Sequence, residues 1–246
     1  MSTPFYTCIA PHYQYIFPFN PTQIEFLRHV LPYNGARVLD VGCATGELAF
    51  ALTHFGFPTW AFDFDPQMIQ IAQKTKQKDS MFPVFEQLDM RQIDERFPES
   101  YFDTVICFGN TLVHLLNDDD IRKFIRVAFK VLSPEGKLTI QILNYQHILE
   151  NQIKSLPLID NEHIRFERNY EFESGSELID FNTMLTVKST GQEIKNTTKL
   201  YAIRQNKLQE ILEEAGFSAI EFFGSFNREP LTSTSLPLVL TCQKEK

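Results

Sequence analysis

Cysteine is sparse and scattered: Cys8, Cys43, Cys107 and Cys242 are the only four in 246 residues, and no two stand in C-x-x-C spacing. That excludes a cysteine-built zinc site, offers no disulfide framework and suits a reducing cytoplasm, the expected location. Lysine and arginine form no basic run, and 23 of them against 31 acids leave a net charge of −8. Duplex binding rests on phosphate neutralisation, so nucleic acid is not an expected partner. No apolar run reaches the roughly 20 residues that span a bilayer, and the N-terminus lacks the basic-then-apolar pattern of a leader, so no membrane partner is expected either. What is present is an ordinary globular composition, 43% hydrophobic, well able to bury a core. One α/β domain over residues 1–246, with an elaboration, is the expectation.

Glycine is also scarce, ten in all, yet Gly42 and Gly46 fall in one stretch, Arg37 to Phe50, RVLDVGCATGELAF. The apolar run Val38 to Val41 reads as a buried strand; it breaks at Gly42, and Gly46 precedes a segment of helix-forming composition. Dinucleotide-binding turns need a third glycine three residues after the second, whereas here Gly42, Ala44 and Gly46 alternate. Asp40 at the strand end would repel a pyrophosphate and suits a cationic ligand instead. A nucleoside carrying a positively charged amino-acid tail fits, which is S-adenosylmethionine, with S-adenosylhomocysteine as product.

Residues 1–20 are rich in aromatics, and prolines at 4, 11 and 18 argue for a loop or short helices laid as a lid over something apolar. Tyr6 and Tyr13, seven apart, can share a helical face and shape an acceptor pocket. From 35 to 145 strand and helix alternate: strands at Val38–Val41, Thr59–Asp63, Phe82–Leu88, Phe102–Phe108 and Leu138–Leu143, and an amphipathic helix from Asp118 to Leu132. That alternation implies a Rossmann-like, doubly wound, mostly parallel sheet of seven strands, completed by an antiparallel C-terminal hairpin within 205–246. Between them, residues 160–204 read as an inserted three-stranded antiparallel meander, with turns at Ser174-Gly175-Ser176 and Thr190-Gly191, that caps the site or joins two copies into a homo-oligomer.

Ligands of such sheets bind at the carboxyl ends of the strands. Asp40, Asp63, Asp89, Asn110 and Asn144 all fall there. Asp63 can accept ribose hydroxyls, with Phe64 beside it, and Asp89 can accept from an adenine amino group. Met68 at helical spacing can pack on adenine or simply be core. Asp65 is better placed to cap a helix, and Asp103, at the start of its strand, belongs to the opposite rim.

The ordered series VLDVGCATG, AFDFDPQMI, LDM, FDTVICFGNTLVHL and LSPEGKL resembles the class I S-adenosylmethionine-dependent methyltransferases over roughly residues 35–145. The resemblance implies that Gly42, Cys43, Ala44 and Gly46 line the methionine part of the cofactor. It further implies that Asp63 holds ribose, that Asp89 and the Met90 backbone meet adenine, and that Cys107 to Asn110, Phe108 included, flank the methyl group. Ala44 departs from the usual glycine and is expected to be tolerated at negative φ. Two further segments, ICFGNTLVHL and QILNYQHIL, are similar to glycine and sarcosine N-methyltransferases and make Asn144 an acceptor contact, with Asn110 and Tyr145 nearby. The arginine that would hold an acceptor carboxylate is among Arg165, Arg168, Arg204 and Arg228. The expected activity is methyl transfer to a small molecule, an amine or amino-acid nitrogen, without a metal, with His114 taking the proton or else buttressing the next helix. Small-molecule O-methylation fits the same residues, as does a cofactor-binding regulatory or assembly protein without turnover.

Overall fold

The structure is a computed structural model that describes residues 4–245 apart from Ser174. The predicted turn residue Ser174 and the first three residues of the expected lid therefore lie outside the described residues. Prolines punctuate the N-terminus by starting short helices: Pro4–Ile9 (α1), then a 3-10 turn over Ala10–His12 with Pro11 near its start, then Tyr13–Ile16 (α2). Tyr6 and Tyr13 thus sit on two helices, not on one shared face.

Next come Pro21–Val30 (α3), Val38–Val41 (β1), Glu47–His54 (α4), Thr59–Asp63 (β2), Pro66–Thr75 (α5) and Val84–Gln87 (β3). Asn20 and Asp65 cap α3 and α5 through their side chains, each with proline following. Ile93–Arg96 (α6), Phe102–Cys107 (β4), Asp118–Val131 (α7) and Leu132–Leu143 (β5) follow. The Asn117 side chain caps α7, three aspartates occupy its first turn where the helix dipole favours them, and Ile121, Phe124, Ile125, Ala128 and Val131 are buried.

The remaining elements are Tyr145–Glu150 (α8), Ile159–Asp160 (β6), Ile164–Glu171 (β7), Leu178–Val187 (β8), Gln192–Tyr201 (β9), Gln205–Glu214 (α9), Phe217–Phe223 (β10) and Pro237–Lys244 (β11). The main sheet runs β10-β11-β5-β4-β1-β2-β3. Neighbours from β5 to β3 are parallel, and β11 is antiparallel to both β5 and β10. This is the expected doubly wound sheet with its C-terminal hairpin.

The insertion is a four-stranded antiparallel sheet, β6-β7-β8-β9, and not the expected three strands. The extra strand is two residues long, and a pair has no alternation for a pattern to reveal. Inner residues Ile164, Phe166 and Leu185 of this sheet bury against Ile9, Ala10 and Ile16 of the N-terminal segment and against Ala44 and Met68 of the main sheet's rim. Tyr170, Ile179 and Leu200 join the larger core with Tyr145 and Ile148. N-terminal segment and insertion therefore cover the carboxyl ends of β1, β2, β4 and β5 together. Asp103 lies at the other end, accepting the Arg37 backbone N–H at 2.7 Å, as expected of a residue opposite the site.

Candidate active site

β1 is central, pairing with β2 and β4, so Asp40 beside Ala61 and Ile106 is only 3% exposed. Its Oδ2 has no hydrogen-bond partner among the described residues. Burial, reinforced by the charges of Asp63 and Glu47, pushes its pKa up to about 7. A buried carboxylate in that state is stabilised by a cation and by little else.

The turn that follows is held from both sides. Gly42 and Cys43 donate to the Phe62 carbonyl at 2.7 and 2.8 Å, while Asp63 Oδ2 accepts the Ala44 N–H at 2.9 Å. Ala44 has φ +49°, contrary to the expectation of negative φ. The left-handed conformation costs an alanine about 1 kcal/mol, and the charge-assisted bond from Asp63 offsets it. Gly42 (φ +75°) needs its bare backbone because a Cβ there would lie 2.4 Å from Thr111, and one at Gly46 (φ +93°) would lie 2.6 Å from Phe85. These two glycines therefore admit protein neighbours close to the turn. Gly46 also leaves the start of α4 without a side-chain cap. The Cys43 thiol is buried and donates to the Ala44 carbonyl at 3.7 Å; its pKa is pushed well up, so it remains a thiol.

Asp63 Oδ1 accepts the Asp65 N–H at 2.9 Å and the Phe64 N–H also bears on the carboxylate, so three backbone donors leave about one accepting direction to spare. Its pKa is pushed up to about 6 by burial, with those backbone bonds pulling the other way. Phe64 is exposed beside it. Met68 is fully buried among Ile9, Ala10, Ala44 and Ile16, sealed under the N-terminal segment. At the end of β3, Asp89 is engaged by Arg91, whose Nη2 donates to Oδ2 at 2.6 Å, and Met90 begins a short 3-10 turn that Asp89 caps.

On the other side of β1, the Phe108 ring packs edge-on against Phe26 and tilted against Phe226 in the core beneath α3. Its ring points away from the rim, leaving its backbone there. Asn110 adopts φ +65°, accepts the Leu143 N–H at 3.0 Å and donates to the Tyr145 hydroxyl at 2.8 Å, stitching β4 to β5. Asn144 is engaged on both ends of its amide: Oδ1 accepts the His147 N–H at 3.2 Å as the cap of α8, and Nδ2 donates to the Ser235 carbonyl at 3.0 Å. Tyr145 is 1% exposed, and burial pushes its phenol well up, so it stays protonated.

The N-terminal segment reaches this rim through three side chains. The Tyr6 hydroxyl lies 2.8 Å from His114 Nε2, ring edge to ring face at 5.2 Å between centroids, with the donor set by the imidazole tautomer. The Thr7 hydroxyl donates to Asp65 Oδ2 at 2.6 Å. Tyr13 lies close enough to Tyr6, Asp63, Glu47 and Cys43 for their charges, added to its burial, to raise its phenol well above the ordinary value. His114 ends a 3-10 turn, Leu112–His114, and burial lowers its pKa to about 4, so the imidazole is neutral.

Sequence reasoning found Tyr6, Tyr13, His114 and the rim acids. It missed Thr7, the tie from Asp63 to Ala44, and Tyr170, and it named Arg168 only among four candidate arginines; Arg168 and Tyr170 form a pair. These last two lie on the inward face of β7, two residues apart as strand alternation requires. The residues present fit S-adenosylmethionine: orphaned Asp40 offers a counter-charge to a sulfonium or ammonium, and Asp63 keeps an accepting direction for a hydroxyl group. Among the described residues no group of three or more His, Cys, Asp or Glu side chains can hold a metal ion.

Comparison with known proteins agrees. A family model described as a methyltransferase domain matches residues 38–136, the stretch that carries β1 to β4, α7 and the start of β5. The chain carries a methyltransferase domain. The glycine/sarcosine N-methyltransferase of Aphanothece halophytica is 28% identical over 204 residues, covering 82% of this methyltransferase and 74% of that protein. The crystal structure of an S-adenosylmethionine-dependent methyltransferase from Clostridium acetobutylicum shares the fold at a TM-score of 0.82 and 15% identity, covering 98% of this chain and all of that one. The amino pentose methyltransferase CalS10 of Micromonospora echinaspora, solved with S-adenosylmethionine bound, shares it at 0.68 and 17%, covering 94% of each chain.

When bound, the cofactor supplies a methyl carbon activated by the sulfonium charge, which leaves the methyltransferase to align a nucleophile and exclude water. Asp40 lies buried at the turn where a cation would favour its ionised form, Asp63 holds the turn's shape, and the N-terminal and inserted segments shield the rim. Asp63→Ala removes the candidate ribose contact and releases the backbone N–H groups of Ala44, Phe64 and Asp65 at once. Calorimetry is expected to show cofactor affinity falling about tenfold to a hundredfold, the worth of a charged hydrogen bond. Binding as tight as wild type removes Asp63 from the ribose site.

Proposed function

We propose that the methyltransferase transfers the methyl group to the nitrogen of a small amine or amino acid. The observation that carries this reading is Arg168. It stands on the inward face of β7 between buried Phe166 and Tyr170, its Nη2 donating to the Pro157 carbonyl at 2.7 Å. Its Nε is buried with no hydrogen-bond partner among the described residues, and burial pulls its pKa below the ordinary guanidinium value. By contrast, Arg165 pairs with Glu167 and Asp160, and Arg228 lies on the C-terminal hairpin near Glu221. A guanidinium held this way is an anchor for an acceptor carboxylate.

Its neighbour Tyr170 has a buried hydroxyl with no partner in hydrogen-bond geometry, close enough to Tyr145 for each phenol to influence the other's pKa. Tyr145, Tyr6 and His114 continue from there toward the cofactor turn. Neutral His114 accepts from the Tyr6 hydroxyl and so turns the phenol oxygen toward an amine N–H, a role a charged imidazole would forbid. The similarity to glycine/sarcosine N-methyltransferases supports a nitrogen acceptor. Asn144, the acceptor contact implied by resemblance, serves this site by holding the start of α8 and with it Tyr145.

The test is a screen of amino acids, matched amines without the carboxylate, and hydroxyl acceptors for formation of S-adenosylhomocysteine. Amino acids are expected to turn over, and Arg168→Met to raise their KM about tenfold to a hundredfold while leaving that of matched amines unchanged. Turnover confined to hydroxyl acceptors overturns the nitrogen reading. Equal effects of Arg168→Met on both amine sets remove Arg168 from the acceptor site.

A further inference from the structure

The sequence reading gave no role to Arg91, yet this residue makes the densest set of charged contacts at the rim. Its Nε donates to both oxygens of Asp89, at 3.0 and 3.2 Å, and its Nη2 to Oδ2 at 2.6 Å, while its backbone N–H reaches Oδ1 at 2.9 Å. The other arm of the guanidinium, Nη1, donates to Asp120 Oδ1 at 2.8 Å in the first turn of α7. Asp120 is itself fixed: its N–H donates to Asn117 Oδ1 at 2.8 Å, and Asn117 Nδ2 donates to Asp120 Oδ2 at 3.1 Å. Asn117 stands three residues after His114. Thus β3, α7 and the loop carrying His114 are tied through one guanidinium.

The geometry has a consequence for base recognition. A carboxylate alone after a short strand rotates about two side-chain torsions, and each accepting direction is lost part of the time. The planar fork fixes Asp89 in one orientation: Oδ1 is taken up by Nε and the backbone N–H, while Oδ2, held by Nη2 with only the long arm of the shared Nε contact, keeps one accepting direction along a single line. Both side chains are partly shielded, 34% and 16% exposed, so the pair is not a freely solvated surface contact.

We propose that Arg91 is a positioning residue for nucleobase selection: it orients Asp89 toward an exocyclic amino group and thereby sets the preference for adenine over a base with an oxygen at that position. An oxygen there would confront a carboxylate lone pair, whereas an amino group donates to it. The inference rests on the reading of Asp89 as the adenine contact.

The experiment measures binding, not turnover, by calorimetry of the full chain with S-adenosylhomocysteine and with its hypoxanthine analogue, S-inosylhomocysteine. Arg91→Met is expected to weaken S-adenosylhomocysteine about tenfold and to lower the ratio of the two affinities about tenfold. Arg91→Lys, which keeps charge but cannot fork, is expected to fall between it and wild type. Asp120→Asn removes the far anchor only, lowers the same ratio about threefold, and serves in place of Arg91→Met if that variant does not fold. Asp89→Asn separates the two ideas. If Asp89→Asn lowers the ratio while the Arg91 and Asp120 variants keep the wild-type value, the positioning role is overturned and the adenine contact stands. If Asp89→Asn also keeps the wild-type ratio, both are overturned.

Discussion

His114→Ala is expected to lower kcat about a hundredfold, and the wild-type pH profile is expected to show no imidazole inflexion between pH 5 and 8. Burial lowers the His114 pKa to about 4, so the ring is neutral throughout that range and its protonation state does not change with pH there. A base that weak is a poor store for the proton of an alkylammonium ion, so acceptor deprotonation belongs to solution, and the profile of kcat/KM should rise with the acceptor's own amine ionisation. On the proposed reading His114 orients: a neutral Nε2 accepting from the Tyr6 hydroxyl at 2.8 Å turns the phenol oxygen toward the acceptor N–H and so sets the nitrogen lone pair along the transfer line. Tyr6→Phe removes one partner of that pair and is expected to cost about tenfold in kcat. Stopped turnovers at saturating cofactor, followed from pH 5 to pH 9, distinguish the two roles. An inflexion near pH 6.5 in wild type that disappears in His114→Ala would make the histidine a general base after all.

The rim could be read in the sequence because period and punctuation agree there. Each strand of β1, β2 and β4 is a largely apolar run that ends in an acid or within two residues of a glycine, so its last residues fall at one end of the sheet whatever the exact boundaries. Side-chain direction was less legible. Phe108 lies one residue past β4, and only the packing of Phe26 and Phe226 decides that its ring turns away from the rim. Ala44 has no local feature to announce a positive φ; the cause is Asp63, nineteen positions along, and its effect depends on β1 and β2 lying side by side. The amides of Asn110 and Asn144 look like ligand contacts in a string of residues, but in space they face Leu143, Tyr145, His147 and the Ser235 carbonyl. Arg168 could be named only as one of four arginines, because what distinguishes it is a missing partner, a property of the fold.

Asp40→Asn is expected to make the protein without cofactor more stable above pH 7 and, at the same time, to weaken S-adenosylmethionine by about tenfold to a hundredfold. The two effects have one origin. In the folded chain the Asp40 pKa is pushed up to about 7, whereas its ordinary value is 3.8. As pH rises from about 4 to about 7 the unfolded chain releases this proton and the folded chain keeps it, so stability falls across that window and the loss is complete above it. A shift of this size corresponds to roughly 4 kcal/mol at most, and asparagine, which cannot ionise, recovers part of it. A cation beside Asp40 reverses the balance by stabilising the carboxylate, so cofactor binding below about pH 7 should release a proton, and affinity should rise as pH approaches about 7 and level off above it. Asp63, with its pKa pushed up to about 6, adds to the lower part of that rise, whereas the part near pH 7 belongs to Asp40 and should vanish in Asp40→Asn. S-adenosylhomocysteine lacks the sulfonium charge and should be weakened less. Calorimetry of both ligands in buffers of different ionisation heat measures the proton release directly, and thermal melts of the free protein at pH 5 and pH 8 measure the stability arm. If Asp40→Asn weakens both ligands equally and leaves the proton release unchanged, Asp40 is not the counter-charge, and the cationic centre must lie nearer Asp63.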